Sequence, residues 1–205
     1  MYPAKPGLII AFHGCDQSVT NKIVNGNANL NFSRNKYDWL GNGIYFWENN
    51  QQRALDFARE LKNNPREGRQ VIKKPSVLGA VIDMGFCLDL LDTEYINLVK
   101  ESYQTLVASC ITLELPVPVN KGLRGSKDLL LRNLDCAVIE NLHIQRDSNN
   151  LKAFDSVRGA FIEGEPLYSN AGFHEKNHIQ ICLRNPNCIK GFFLPRSADD
   201  KYSVP

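Results

Sequence analysis

The chain is predicted to be α+β, and three observations carry that expectation. Short apolar runs of strand length lie near both ends, at Leu8 to Phe12 and at Cys188 to Leu194. His178 to Leu183 alternates polar and apolar residues, the mark of a strand with one face in a core. Between them, two consecutive stretches keep helical spacing, which predicts a helical layer or insertion between sheet segments rather than a regular strand–helix alternation.

In order, Leu8 to Phe12 reads as a buried strand that stops at the polar turn His13-Gly14-Cys15. Asp16 or Ser18 caps a short helix through about Val24. Asn25 to Asp38, dominated by Asn, Gly, Ser and charged residues, is a loop over a surface or a ligand. Then come two glycines, Gly41 and Gly43, directly before the run Ile44-Tyr45-Phe46-Trp47. Glycines fit where backbone must come close to something, and the run reads as a buried strand, so an aromatic ring is held beside open backbone. That arrangement suits a flat ligand with polar edges. Asn49 or Asn50 caps the next helix, in which Ala54, Leu55, Phe57, Ala58 and Leu61 recur at helical spacing.

Lys62 to Pro75 carries two prolines, a glycine and the cations Lys62, Arg66, Arg69, Lys73 and Lys74 against Glu67 alone, an exposed loop or a basic rim for a target. Val77 to Met84 is a strand ending at Gly85. Helical spacing of Ile96, Leu98, Val99, Tyr103, Leu106 and Val107 predicts a helix from Thr93 to about Ile111, with Asp92 or Thr93 as cap. Leu115-Pro116-Val117-Pro118 stops it. A second long helix is expected from Ser126 to about Gln145, so that residues 92–145 form a helical insertion. Phe154 to Glu163 is strand-like, Gly164 to Lys176 a loop, and Pro195 to Pro205 a loose tail. The whole, 1–205, is expected to be a single domain.

Composition bounds the function classes. With 43% hydrophobic and 22% charged residues, the chain is ordinary for a folded protein and unlike a disordered tail. The net charge of +2 neither demands nor rules out a nucleic-acid partner. The N-terminal apolar run is too short for a signal-peptide core or a membrane span, so the expectation is cytoplasmic with no membrane contact. Six scattered cysteines without a Cys-x-x-Cys spacing are expected to be free, buried thiols. No metal is expected, because His174 and His178 do not share a helical face and no cysteine pair supports them. Neither a Walker motif nor Gly-x-Gly-x-x-Gly occurs.

Phe12-His13-Gly14, then Gly41-x-Gly43-Ile44-Tyr45-Phe46 with Ala54-x-x-Phe57-Ala58, then Ile179-Gln180-Ile181 resemble, in order, the three motifs of the ADP-ribosyltransferase superfamily. The branch is the His-Tyr-Glu one, shared by poly(ADP-ribose) polymerases and diphtheria toxin. The resemblance implies a split β-sheet holding NAD as co-substrate in the cleft between its halves. It also implies that His13 bonds the adenosine ribose, that the Gly14 backbone grips the nicotinamide amide beside Gly43, and that Tyr45 stacks on the nicotinamide ring. Phe57 closes the pocket, unless a one-residue slip gives that place to Asp56. Two departures stand out: Cys15 and Arg53 occupy positions where the family has serine, and Gln180 occupies that of the signature glutamate.

Gln180 is the consequential one. Breaking the nicotinamide–ribose bond passes through an oxocarbenium-like transition state, which a carboxylate stabilises. Glutamine accepts the same hydrogen bond without the charge, and charged hydrogen bonds are about twice as strong as neutral ones. Glu163 or Glu165 is expected to supply the missing acid, Glu175 being a further candidate, and Arg158 is either a phosphate or acceptor contact or a member of a structural ion pair. The implied activity is transfer of ADP-ribose from NAD to a macromolecular acceptor, protein or nucleic acid, in a bacterial toxin or defence effector, with an antitoxin or inhibitor as partner. The alternatives are an NAD- or ADP-ribose-binding module without turnover, and an NAD glycohydrolase.

Overall fold

The computed structural model describes residues 7–65, 71–122 and 128–203. Strand β1 (Ile9–Asp16) leads into α1 (Gln17–Val24), then β2 (Ile44–Glu48), α2 (Gln51–Asn63), β3 (Pro75–Ile82) and β4 (Cys87–Asp89). Two helices, α3 (Thr93–Thr112) and α4 (Asn133–Ser148), follow, with a two-residue ladder of β5 (Asn120–Lys121) and β6 (Leu131–Arg132) between them. The chain ends through β7 (Ser156–Phe161), β8 (His178–Leu183) and β9 (Ile189–Phe193). The fold is α+β, with one mixed, mostly antiparallel seven-stranded sheet in the order β4-β7-β8-β2-β1-β3-β9.

Asp16 and Asn50 cap α1 and α2, each accepting a backbone N–H, and Asp92 does the same for α3. β1 runs on past Phe12 to Asp16, because it pairs with β3 from Ile9–Ile82 to Asp16–Pro75 and the polar His-Gly-Cys stretch stays inside that ladder. α4 begins at Asn133, not near Ser126, a residue outside those described. Its first turn is capped from a distance: Asn120 Oδ1 accepts from Leu134 N at 2.8 Å and Asp135 N at 3.2 Å. Because β4 and β7 are parallel neighbours, the segment with both helices is the crossover that parallel pairing requires.

Residues opposite each other in a ladder share a face of the sheet, and alternate residues change face. Phe12, Tyr45, Trp47, Val157, Phe161, His178, Gln180 and Cys182 lie on one face, covered by α2 and by the α3–α4 layer. Ala11, His13, Phe46, Glu48, Arg158 and Ile181 lie on the other, where Ala11, Phe46 and Ile181 are fully buried.

The sheet has a seam. β1 and β2 pair through Ala11–Glu48 and Phe12–Trp47, then part, although both strands continue. Of the basic Lys62 to Lys74 loop, residues 66–70 lie outside those described, while the Lys73 and Lys74 N–H groups both donate to Asp16 Oδ2 at 2.8 Å. No helix among the described residues is long and apolar enough to cross a membrane.

Candidate functional site

His13 stands where β1 and β2 separate. Its Nδ1 lies 2.8 Å from the Tyr45 carbonyl oxygen, so the ring occupies the place of the next ladder bond and meets Phe46 edge-on. Burial lowers the His13 pKa, against the Tyr45 hydrogen bond, which favours the protonated ring. Gly14 beside it is pressed from the opposite face: a β-carbon there would collide with the Ala54 carbonyl oxygen of α2. This closeness brings α2, with Arg53 and Phe57, down onto the seam.

Tyr45 is fixed at its far end. Its hydroxyl donates to Gly41 O at 2.6 Å and accepts from Leu40 N at 2.9 Å, while its ring packs with Leu40, Leu88 and Ile139. Burial raises the phenol's pKa well above its ordinary value, so it remains a donor. The two glycines before this strand are approached by protein. A β-carbon on Gly41, whose φ is +77°, would meet Glu140 Oε1 at 2.5 Å, and one on Gly43 would meet Cys182 and the Leu183 carbonyl. Glu140 clamps the same loop by accepting from Asn42 N at 2.8 Å and from Arg184 Nη1 at 2.5 Å.

Gln180 lies directly opposite Trp47 on β2 and Gly159 on β7, on the face covered by α2. Two residues along β8, the buried His178 stacks 6.2 Å from Trp39 and lies 5.7 Å from Phe161 and 6.5 Å from Trp47. Into this aromatic enclosure α2 sends Arg53, whose Nη2 donates to Glu163 Oε2 at 2.8 Å, with the guanidinium 5.8 Å from the Trp47 ring centre. Glu163 Oε2 is also 3.9 Å from His178 Nδ1. Burial, then the Arg53 charge, lowers the His178 pKa, leaving a neutral imidazole whose Nδ1 donates to Lys176 O at 2.6 Å.

Glu163 and Arg53 are 7% and 8% exposed, whereas Glu165 is exposed on the following loop. Of the two carboxylates, the structure therefore brings only Glu163 to the enclosure. Trp47 Nε1, Arg53 Nε, Arg53 Nη1 and His178 Nε2 are buried there without a hydrogen-bond partner among the described residues. The nearest carboxylate to Nη1 beyond Glu163 is Glu60 Oε1, 4.0 Å away. A buried polar atom left unmet costs about 1–3 kcal/mol, so three unmet donors, of Trp47 and Arg53, beside one unmet acceptor, His178 Nε2, mark a position where a polar ligand would improve the balance. A cavity of about 680 Å³ adjoins the enclosure across Trp39 and Phe161, with Arg132 sandwiched against both rings at 4.3 and 5.0 Å.

Arg158 stands on the other face. It donates to Glu48 through Nε at 2.5 Å and Nη2 at 3.0 Å, and to Asp89 through Nη1 at 3.2 Å. With 7% exposure and both partners in place, it has no reach toward a phosphate. Of the two roles open to Arg158, phosphate or acceptor contact and structural ion pair, the contacts fit the second. Among the described residues no group of three or more His, Cys, Asp or Glu side chains could hold a metal ion.

The sequence reading missed Trp39, His178 and Trp47 as members of one enclosure. Trp39 lies just past the polar loop Asn25 to Asp38 and belongs to no expected element, and as a ligand His178 is considered only beside His174, which bonds Gly164 O at 2.7 Å instead. The signal that could have found them is the alternation of β8, which puts His178 and Gln180 on one face.

Among known proteins, an uncharacterized protein of Methanocaldococcus jannaschii is 25% identical over 195 residues, which span 87% of this chain and 83% of that protein. No family model and no solved structure matches the chain.

Proposed function

We propose that the protein is an ADP-ribosyltransferase that cleaves NAD at this seam and transfers ADP-ribose to a macromolecular acceptor. One observation carries the reading: stretches of the chain that resemble separate motifs of that superfamily meet at the parting of β1 and β2. His13 bonds the Tyr45 carbonyl across 32 residues of sequence, and Gln180 lies opposite Trp47. α2 closes one side of the seam with Arg53 and Phe57, and Trp47 packs 4.9 Å from Phe57. In this reading the two half-sheets on either side of the seam correspond to the split sheet of the superfamily.

NAD fits the chemistry of the residues present. Its pyrophosphate, ribose hydroxyls and carboxamide offer acceptors to the unmet Arg53 and Trp47 donors, and its nicotinamide offers a flat face to aromatic walls. His13, reaching into the seam from the opposite face, and the Gly14 backbone would hold the adenosine ribose and the carboxamide, with the half-buried Tyr45 ring lining the nicotinamide side. Bound there, NAD supplies a glycosidic bond whose breaking leaves positive charge on the ribose. Gln180 then offers a neutral hydrogen bond to the ribose.

The test is incubation of the purified protein with labelled NAD and lysate, followed by separate nuclease and protease digestion. Label appearing in a macromolecule, together with release of nicotinamide, is the expected outcome, and His13→Ala should remove both. Absence of both from the wild type rejects the reading. Gln180 favours one other reading, an NAD-binding module without turnover, and calorimetry showing binding with no nicotinamide release would establish it.

A further inference from the structure

Resting on that reading, we infer that Glu163 is the catalytic carboxylate of this chain, in place of the residue at position 180, and that Arg53 is the positioning residue that presents it. Three independent features converge on Glu163. It leaves the end of β7 on the same face as Phe161, and hence on the face of His178 and Gln180. Its backbone is fixed to the β8 side, because its carbonyl accepts from Lys176 N at 3.0 Å, two residues beyond the Phe161–His178 pair. Its carboxylate is then turned inward by Arg53 Nη2 at 2.8 Å and toward the neutral His178 at 3.9 Å.

A buried ion pair on this pattern is a poor stabilising device, because desolvation of both charges offsets most of their attraction. Only one of the Arg53 nitrogens is satisfied, and its Nε and Nη1 remain without acceptors, as does Trp47 Nε1. A pair kept for stability alone would have its donors met. The arrangement fits a carboxylate held inside a polar, aromatic-walled enclosure whose remaining buried donors a bound ligand would satisfy.

The step balances as follows. The bond between ribose C1′ and the nicotinamide ring nitrogen breaks, and its electron pair leaves with neutral nicotinamide. An oxygen nucleophile, an acceptor hydroxyl or water, forms the new bond to C1′, and its proton passes to Glu163. The carboxylate meanwhile stabilises the positive charge on the ribose, which the neutral Gln180 amide does weakly.

The test is steady-state nicotinamide release by the full chain. Glu163→Gln should lower kcat roughly 10²–10³-fold with KM within about threefold, because the lost interaction belongs to the transition state. Gln180→Ala should cost less than about tenfold, and Gln180→Glu in the Glu163→Gln background should restore part of the rate. Arg53→Gln should lower kcat, with Arg53→Lys recovering part of it. Glu163→Gln leaves a buried guanidinium without its partner, so the double variant Arg53→Gln/Glu163→Gln provides a neutral pair of similar shape; its thermal melting checks folding, and it too should lose kcat. An active wild type whose Glu163→Gln variant or folded double variant keeps full kcat overturns the inference while leaving the transferase reading intact. A wild type that releases no nicotinamide overturns both.

Discussion

Arg53 and Arg158 are equally buried, at 8% and 7% exposure, and both pair with carboxylates distant in the sequence, yet their surroundings differ in kind. Arg158 reaches Glu48 of β2 and Asp89 of β4, and all three of its guanidinium nitrogens donate. Arg53 reaches Glu163 with Nη2 alone. The first links three strands on one face of the sheet and has nothing left to offer a ligand. The second closes a corner of an aromatic enclosure and keeps two donors free. Satisfaction of donors, rather than burial or charge, separates an arginine that holds the fold from one available for binding.

The largest effect should come from breaking that comparison at its structural end. Arg158→Met leaves Glu48 and Asp89 facing each other without the guanidinium between them, and should cost about 3–5 kcal/mol in urea unfolding. Arg53→Met leaves the buried Glu163 carboxylate without its guanidinium, but it breaks one hydrogen bond rather than three and removes two unmet donors, so it should cost less, about 1–3 kcal/mol. Each kcal/mol corresponds to roughly 2–4 °C in melting temperature at this size. NAD binding by calorimetry should reverse the order, weakening in Arg53→Met and surviving in folded Arg158→Met. Equal losses of stability with binding unchanged in both would show that the free donors of Arg53 have no bearing on a ligand.

A smaller effect is expected at Tyr45, whose hydroxyl resembles Arg158 in being fully used. Tyr45→Phe removes the bridge between Leu40 N and Gly41 O, and should cost about 1–2 kcal/mol. The ring remains, so labelling by NAD should stay within about threefold of wild type. A folded Tyr45→Phe protein that loses labelling would move the hydroxyl from the loop to the chemistry.

Much of the fold was legible because most strands and helices announce themselves locally. Ile44-Tyr45-Phe46-Trp47 is a continuous apolar run, buried on both faces, β8 alternates, and Asp16, Asn50 and Asp92 sit where caps belong. β4 was not legible, since three residues between turns carry no period and become a strand only by pairing with β7. The start of α4 depends on Asn120, 14 residues from the nitrogen it caps. The candidate site shows the same division. Tyr45 could be picked out by residue type and neighbourhood, and His13, Arg53, Gln180 and, near it, Glu163 by the resemblance of their motifs. That Arg53 meets Glu163 across 110 residues, whereas Arg158 meets Glu48 across an equal span on the opposite face, is decided by strand order and register. The two glycines before Tyr45 read correctly as points of close approach, but what approaches is α4 and β8.

The smallest effect follows from the charge that Arg53 places beside His178. Burial first, and then Arg53, hold the His178 pKa below its ordinary value in the folded protein. The unfolded chain therefore takes up a proton at this position as pH falls through about 6.5, before the folded protein does, and stability at this site declines on acidification. Arg53→Met removes the second cause, so the folded-state pKa moves back toward the unfolded one and the decline between pH 7 and pH 5 becomes shallower. Arg158→Met should leave the His178 contribution unchanged, because that guanidinium lies on the opposite face of the sheet. NMR titration of the His178 ring in both variants, alongside urea midpoints at the two pH values, measures it directly. A His178 titration that does not move in Arg53→Met would show that the guanidinium and the imidazole are electrostatically separate, and would reduce the enclosure to two unconnected contacts.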